Sequence, residues 1–264
     1  MKNYVISKKK LNEMVSVQIA SDLHIECIEN DDINPLQFIT PKAPILILAG
    51  DIGSFYKQIQ LKNFLSRLCV HFEIVIYIIG NHEYYHTQDY HHINFFTLKE
   101  RLFSIAKGIK NLHILQRDSV LINNICIAGC TLWTQPEGKI PKFIVRIPDI
   151  NTAKYTDNYS DDLNFIQNIT KYCQKKHYKL IVVTHHPPTY KVLENTNKNK
   201  KYLSLYSNHL DHLLDKTQIH TWICGHIHKN FDIITDMGTR LVSNQKGKIK
   251  DKITDFNDAF VIDL

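Results

Sequence analysis

The 264-residue sequence lacks several features that would have placed it in other classes. Its six cysteines include no CxxC pair, which argues against a thiolate metal site or a disulfide framework and favours a reducing compartment. No apolar run reaches the length of about 18 residues that a membrane span needs. The lysines at positions 8–10 are followed only by a short apolar run at 15–20, which is too short for a signal peptide. We therefore expect a cytoplasmic protein with no membrane contact.

Composition and net charge limit the size of the domain and the kind of partner that the chain can have. With 44% hydrophobic residues, a chain of this length can bury roughly three quarters of its unfolded surface in one domain. No linker-like segment interrupts it, so we expect a single domain across residues 1–264. The formal net charge of +6 favours anionic partners by long-range attraction, whether these are small phosphates, nucleic acid or membrane lipid.

Short runs of apolar, largely β-branched residues recur along the chain, and each ends directly before a polar motif. They predict buried strands at 15–20, 45–49, 74–79, 180–184 and 221–224. Further strands are predicted at 112–115, 119–122, 125–129 and 259–262. Two sets of apolar residues near a 3.6-residue period predict helices: Ile59, Phe64, Leu65 and Leu68, then Phe95, Leu98, Leu102 and Ile105. This mixture predicts two sheets packed face to face with helices outside.

Two segments lack a sustained period. Residues 133–162 contain Pro136, Pro141 and Pro148, and residues 189–202 contain several lysines. Long irregular segments in compact domains are often functional, and both lie near polar motifs in sequence. We predict that these two segments are loops or lids over the functional site.

Seven nitrogen and oxygen donors follow the five buried strands: Asp22, His24, Asp51, Asn81, His185, His226 and His228. At the end of an extended strand, side chains two positions apart point the same way, which pairs Asp22 with His24 and His226 with His228. A carboxylate such as Asp51 can bridge two cations, and Asn81 offers a neutral oxygen. Because strand ends are where α/β folds gather their chemistry, the pattern predicts one dinuclear metal site.

The charge of such a site suits phosphate. Two divalent ions with two ionised carboxylates, Asp22 and Asp51, leave a formal surplus of about +2 for hydroxide and an anionic substrate. Two adjacent cations can activate a bridging water and hold the oxygens of an in-line displacement at phosphorus. The expected reaction is therefore phosphoester hydrolysis without a protein nucleophile.

The motifs DLH at 22–24, GD at 50–51, GNHE at 80–83, HHPP at 185–188 and GHIH at 225–228 together resemble the signature of the calcineurin-like metallophosphoesterase superfamily. Segments at 129–133, 184–188 and 238–244 resemble landmarks of its small stand-alone, bacterial-type branch. The resemblance implies an α/β fold, a four-layer αββα sandwich of two mixed β-sheets flanked by helices. It also implies catalysis by a metal-bridging hydroxide, with two divalent ions such as Mn²⁺, Fe or Zn²⁺.

Carried over residue by residue, the resemblance places Asp22, His24 and His228 on the first metal. It places Asn81, His185 and His226 on the second, with Asp51 bridging the two. His82 matches a histidine that contacts the phosphate and protonates the leaving oxygen. Between His185 and His186 we choose His185, because it is the first residue after the strand.

The sequence leaves the substrate open between a phosphomonoester and a phosphodiester. The net positive charge leaves a nuclease as an alternative. The nuclease branches of this superfamily typically carry extra domains, so nucleic acid is not favoured as the substrate. A non-catalytic metal-binding scaffold is a second alternative. Protein Ser/Thr phosphatase activity is not expected, because the arginines that flank GD and GNHE in that branch are missing here.

The candidates for phosphate contacts are Arg117, Arg146 and Arg240, and those for the pocket wall are His86, His91 and His92, with a solvated loop cluster as the alternative for the histidines. The candidates for steering phosphates are Lys198, Lys200 and Lys201, with a solvated surface as the alternative. The alternating Lys246, Lys248, Lys250 and Lys252 would form either a basic edge for nucleic acid or the protection of an edge strand against aggregation.

Overall fold

The computed structural model describes residues 4–5, 15–86, 93–194, 196 and 198–264. These residues form twelve strands and three α-helices. The strands are β1 Tyr4–Val5, β2 Ser16–Ala20, β3 Ile45–Leu48, β4 Ile74–Tyr77, β5 Leu112–Ile114, β6 Asp118–Ile122, β7 Ile125–Cys130, β8 Lys179–Thr184, β9 Thr221–Ile223, β10 Phe231–Ile234, β11 Arg240–Ser243 and β12 Val261–Asp263. The helices are α1 Gln58–Cys69, α2 Phe95–Ala106 and α3 Thr152–Lys176.

The strands form two mixed sheets. The five-stranded sheet has the order β12-β2-β3-β4-β5, in which β2 to β5 are parallel and β12 pairs antiparallel at one edge. The seven-stranded sheet has the order β1-β6-β7-β8-β9-β11-β10, with a parallel centre from β7 through β8 and β9 to β11. The carboxyl ends of β2, β3 and β4 therefore share one edge, as do those of β8 and β9.

Successive side chains of a strand point to opposite faces of its sheet. The buried apolar side chains therefore form three hydrophobic clusters, one between the two sheets and one on the outer face of each sheet. In β3, Ile45 and Ile47 face the seven-stranded sheet, while Leu46 and Leu48 face the helices on the other side. In β8, Ile181 and Val183 join the core between the sheets, and the alternate residues of β8 pack with α3. Strands buried on both faces read as continuous apolar runs, which is why the sequence showed them. The predicted αββα sandwich is confirmed.

Helix α1 is present where the sequence predicts it, but its buried face is shifted. Phe64, Leu65 and Leu68 are buried as expected, whereas Ile59 is 67% exposed. Its expected place is taken by Gln60, whose amide donates to the carbonyl oxygens of Ile28 and Asn30, each at 2.9 Å. A polar residue that anchors a loop can thus occupy a position that periodicity assigns to an apolar one.

The prediction that 133–162 is irregular throughout is wrong for its last part, because α3 begins at Thr152. The Asn151 side chain caps this helix by accepting from the backbone N–H of Lys154 at 2.9 Å. The helix escaped detection because Asp162 occupies one of its buried positions and breaks the apolar period. Burial raises the pKa of Asp162 to about 6 even though Arg117 donates to its carboxylate at 3.1 Å.

The second irregular segment, 189–202, contains the 3-10 helix Tyr190–Leu193 and the start of another, Lys200–Leu205. The structure also adds the antiparallel pair β10–β11, which the sequence did not suggest. Among the helices of the described ranges, none has both the length and the apolar character that crossing a bilayer requires.

Candidate metal centre

All seven predicted donors lie at the carboxyl ends of strands, where the two sheets meet. Three of them, Asp22, His24 and His228, present ligand atoms within 4.8 Å of one another. The Nε2 atoms of His24 and His228 are 3.0 Å apart, and Nε2 of His228 lies 3.3 Å from Oδ1 of Asp22. Since the three residues come from opposite ends of the sequence, the fold alone brings these atoms together.

The other donors form a second group beside the first. Asp51, His185 and His226 also place ligand atoms within 4.8 Å of one another. Nε2 of His185 is 2.9 Å from Oδ1 of Asn81 and 3.3 Å from Oδ1 of Asp51. The second oxygen of Asp51, Oδ2, lies 3.9 Å from Nε2 of His24. Asp51 therefore presents one carboxylate oxygen to each group.

The hydrogen bonds around the first group direct lone pairs into the space between its members. Nδ1 of His24 lies 2.9 Å from Oε1 of Glu26, and Nδ1 of His228 lies 2.6 Å from Oδ2 of Asp251. A carboxylate can only accept, so each Nδ1 donates and each neutral ring keeps its lone pair on Nε2. Two lone pairs that face each other at 3.0 Å repel unless a cation lies between them.

One histidine of the second group is held in a similar way. Nδ1 of His185 donates to the carbonyl oxygen of Ala49 at 2.9 Å, which leaves the Nε2 lone pair directed at the oxygens of Asn81 and Asp51. Burial alone would lower the pKa of His185, but the neighbouring Asp51 carboxylate raises it to about 9. The field at this position thus favours positive charge, whether from a proton or from a metal ion.

His186 has a different environment from His185. Its Nδ1 lies 3.3 Å from the carbonyl oxygen of Thr131, and its ring packs against Trp133 and His226. Burial and the proximity of His185 lower the pKa of His186 to about 3. These contacts suit a neutral packing residue, and they favour our choice of His185.

The backbone of the site departs from what we expected. The alternating pattern predicts extended chain at two pairs of donors, Asp22 with His24 and His226 with His228. Both pairs instead have left-handed backbone, with φ of +52° and +50° in the first and +74° and +53° in the second. Asp51 has φ of +53°. Such conformations cost about 1–3 kcal/mol each and cluster at functional sites.

Two of the glycines that precede the donors are required by close contacts. A Cβ atom on Gly225 would lie 2.6 Å from Oδ2 of Asp22, and one on Gly80 would collide with Oδ1 of Asp51. Since neither glycine has a positive φ, the reason is the missing side chain and not backbone freedom. Each motif loop thereby approaches the carboxylate of another motif.

Glu83, the last residue of the GNHE motif, connects two of the loops that carry donors. Its buried carboxyl group accepts from the backbone N–H groups of Ile52, Gly80 and Asp51 at 2.8, 3.0 and 3.1 Å. The Tyr77 hydroxyl donates to it at 2.7 Å. Burial and the nearby Asp51 carboxylate raise its pKa well above the usual value. Glu83 thus fixes the loop that carries Asp51 to the loop that carries Asn81.

Sequence reasoning missed three residues that support the donors. Glu26 and Asp251 hold the rings of His24 and His228, as described above. The side-chain oxygen of Gln245 accepts from the backbone N–H of His228 at 2.6 Å. The alternation of polar residues at 22, 24 and 26 is a signal for Glu26, but nothing in the pattern around Asp251 indicates its role.

A cavity of about 290 Å³ opens over the donors. Aromatic side chains form part of its wall, including Tyr85, Trp133, Tyr155 and Tyr206. Both predicted loops contribute to it, through residues 143–146 and through Lys198. The basic residues that line it are Arg146, Lys198, Lys248 and Lys250.

Several predicted pocket residues lie elsewhere. Arg117 pairs with Asp161 and Asp162, and Arg240 pairs with Asp232, so of the three candidate arginines only Arg146 reaches the cavity. His86 packs against Tyr56 and does not line the cavity. His91 and His92 lie outside the described residues.

Comparison with known proteins agrees with this architecture. A family model described as calcineurin-like phosphoesterase matches residues 16–230. "Uncharacterized protein L509" of Acanthamoeba polyphaga mimivirus is 26% identical over 275 residues, covering 94% of this chain and 96% of that protein.

Two solved structures share the fold at low sequence identity. A phosphopantetheinyl hydrolase from Mycobacterium tuberculosis has a TM-score of 0.73 at 14% identity, over 95% of this chain and 96% of its own. A dimetal phosphatase from Danio rerio has a TM-score of 0.53 at 12% identity, over 87% of this chain and 86% of its own. Since the family model covers most of the chain and the fold agrees with it, the chain belongs to the calcineurin-like phosphoesterase family.

Proposed function

We propose that the chain is a dinuclear-metal-dependent phosphohydrolase that cleaves a phosphomonoester or a phosphodiester. The observation that supports this most strongly is the pair of adjoining donor groups, in which lone pairs converge and Asp51 presents one oxygen to each. Such an arrangement is unfavourable without cations and favourable with them. Two ions that shared Asp51 would be placed to act on one phosphoryl group.

In this proposal Asp22, His24 and His228 would hold one ion, Asn81, His185 and His226 would hold the other, and Asp51 would serve both. When bound, the two ions would supply a nucleophile by lowering the pKa of water and would polarise the phosphoryl oxygens. The donors are nitrogen and oxygen atoms without thiolate, a set that suits Mn²⁺, Fe or Zn²⁺.

His82 is the residue that we propose as the proton donor to the leaving oxygen. Its backbone N–H donates to Oδ1 of Asp51 at 2.7 Å, and its Nδ1 lies 3.4 Å from Oε1 of Glu26. Nζ of Lys248 lies beside the same ring, 3.4 Å from Nδ1 and 3.2 Å from Nε2. Burial lowers the pKa of His82, and a phosphate group in the cavity would favour its protonated form.

The test is metal analysis combined with a substrate panel. We expect the purified chain to hold two divalent ions and to hydrolyse p-nitrophenyl phosphate or bis-p-nitrophenyl phosphate with Mn²⁺. Removal of the ions with a chelator should abolish turnover, and adding them back should restore it. No turnover with Mn²⁺, Fe²⁺ or Zn²⁺ would contradict the proposal and favour a scaffold. Faster cleavage of DNA or RNA oligonucleotides than of every small ester would favour a nuclease.

Asp251→Asn should weaken metal binding although Asp251 is not a proposed ligand. The substitution keeps the size of the side chain but removes the charge that holds Nδ1 of His228 at 2.6 Å. Loss of such a partner typically costs about 10–100-fold in metal affinity. Calorimetric titration of the metal-free chain with Mn²⁺ measures this loss.

The matched control is Asp157→Asn, which makes the same change on the exposed face of α3. It should bind Mn²⁺ as the unmodified chain does. Equal affinities of Asp251→Asn and the control would mean that the contact with His228 does not support the metal site.

A further inference from the structure

Four cationic side chains line the cavity over the metal centre: Arg146, Lys198, Lys248 and Lys250. We call them the cationic rim. The lysine and arginine ion pairs in the described ranges are Arg67–Asp32, Arg117 with Asp161 and Asp162, Lys191–Asp236 and Arg240–Asp232. No member of the rim takes part in them. The positive charges of the rim therefore have no carboxylate of the described residues in direct contact with them.

Members of the rim stand on two sides of the centre. The guanidinium of Arg146 lies 5.5 Å from the centre of the Tyr85 ring, which in turn lies 4.4 Å from the ring of His82. Nζ of Lys198 lies 4.8 Å from the centre of the Tyr206 ring, which is 5.7 Å from the ring of His226. Lys198 is thus one aromatic ring away from the donor His226, and Arg146 is one aromatic ring away from His82, which lies beside the donor groups.

Holding the charged side chain of Lys198 in this partly buried position costs free energy. Burial lowers its pKa, because a partly buried ammonium group loses contact with water. The charge could point into solvent at lower cost, as that of a flexible lysine usually does. A bound anion would offset this cost by supplying the missing partner.

The charge of the cavity exceeds what one phosphate group needs. Two divalent ions and the rim would carry a formal charge of about +8, which Asp22, Asp51, Glu26 and Asp251 would reduce to about +4 and the hydroxide nucleophile to about +3. A single phosphate group carries a charge of at most about −2. A second phosphate group would balance the remainder.

We propose that the cationic rim binds a second phosphate group of the substrate, so that the preferred substrate class is a small organic bisphosphate. This inference rests on the proposed function for the cleavage of the first phosphate at the metal centre. Lysine and arginine are the side chains that recognise phosphate oxygens. The two loops that carry Lys198 and Arg146 would then select the substrate through its remote phosphate.

A matched pair of substrates tests the inference. Propyl phosphate and propane-1,3-diol bisphosphate contain the same scissile alkyl ester, and only the second has a remote phosphate. With free Mn²⁺ held equal, and after correction for its two equivalent esters, the bisphosphate should have a kcat/KM at least about tenfold higher. Equal values would overturn the inference while leaving the proposed function intact.

Single substitutions locate the preference. Lys198→Gln and Arg146→Gln should each reduce the ratio of the two kcat/KM values by about tenfold. Lys200→Gln is the matched control, since it removes the same charge from the same loop at an exposed position outside the cavity. A ratio that falls equally in all three variants would reflect net charge alone and would overturn the role of the rim.

Binding to the metal-free chain separates this inference from the proposed function. Calorimetry should detect binding of the bisphosphate, weakened about tenfold by Lys198→Gln and unchanged by Lys200→Gln. Such binding without turnover of either ester would support the rim and contradict the hydrolase. Binding of a single-stranded oligonucleotide that is tighter than binding of the bisphosphate would overturn the small-molecule class.

Discussion

Asp51→Asn is expected to lower kcat/KM for p-nitrophenyl phosphate by about 10³-fold or more. Its two carboxylate oxygens lie 3.3 Å from Nε2 of His185 and 3.9 Å from Nε2 of His24, so it is the side chain that contacts both donor groups. An asparagine of the same shape replaces one oxygen with an amide that donates and repels a cation. Loss of the proposed coordination to both ions would remove several kcal/mol of transition-state stabilisation.

The measurement joins steady-state kinetics to metal content. We expect the variant to retain fewer than two ions per chain at a Mn²⁺ concentration that saturates the unmodified protein. Asp31→Asn, at an exposed position, makes the same chemical change away from the site and should have no effect on either quantity. Thermal unfolding followed by circular dichroism shows whether the variant is folded. A folded variant with full activity and two ions would contradict the bridging role of Asp51.

His82→Asn is expected to affect substrates according to their leaving groups. If His82 protonates the leaving oxygen, kcat for an alkyl phosphate should fall by about 10²–10⁴-fold. The fall for p-nitrophenyl phosphate should be at most about tenfold, because p-nitrophenolate leaves readily without a proton. The metal content should stay at two ions, since His82 is not among the proposed ligands.

The control for this variant is His71→Asn, at an exposed position after α1. It should leave the rates with both substrates unchanged. Equal losses for the alkyl and the aryl ester in His82→Asn would assign His82 to substrate positioning and not to proton transfer. The comparison of two leaving groups is therefore more informative than the loss of activity alone.

The architecture was largely predictable because both sheets have strands buried on two faces. Their continuous apolar runs are visible in sequence, and the motifs that follow them mark the edge where the site lies. Helix α3 was not predictable in the same way. Its core position at Asp162 is polar, and the partner that makes this tolerable, Arg117, comes from a different part of the chain. Periodicity cannot detect a buried position that is satisfied by a tertiary ion pair.

In the candidate site, too, the residues that belong to local motifs were predictable, and those that depend on tertiary contacts were not. The seven donors could be found because each belongs to a short motif at a strand end. Asp251 could not, because its contact with His228 depends on how the segment after β11 folds back over the centre. The left-handed backbone at Asp22, His24, His226 and His228 was also hidden, since an alternating pattern predicts extended chain.

The donors are divided between the two sheets. Asp22, His24, Asp51 and Asn81 follow strands of the five-stranded sheet, and His185, His226 and His228 follow strands of the seven-stranded sheet. Each proposed ion would thus take ligands from both sheets and would hold the two sheets together at this edge. His24 and His228 are separated by 204 positions in the chain, so neither site can exist before the sheets dock. Metal uptake would follow folding, and the bound ions would then resist separation of the sheets at the edge where substrate enters.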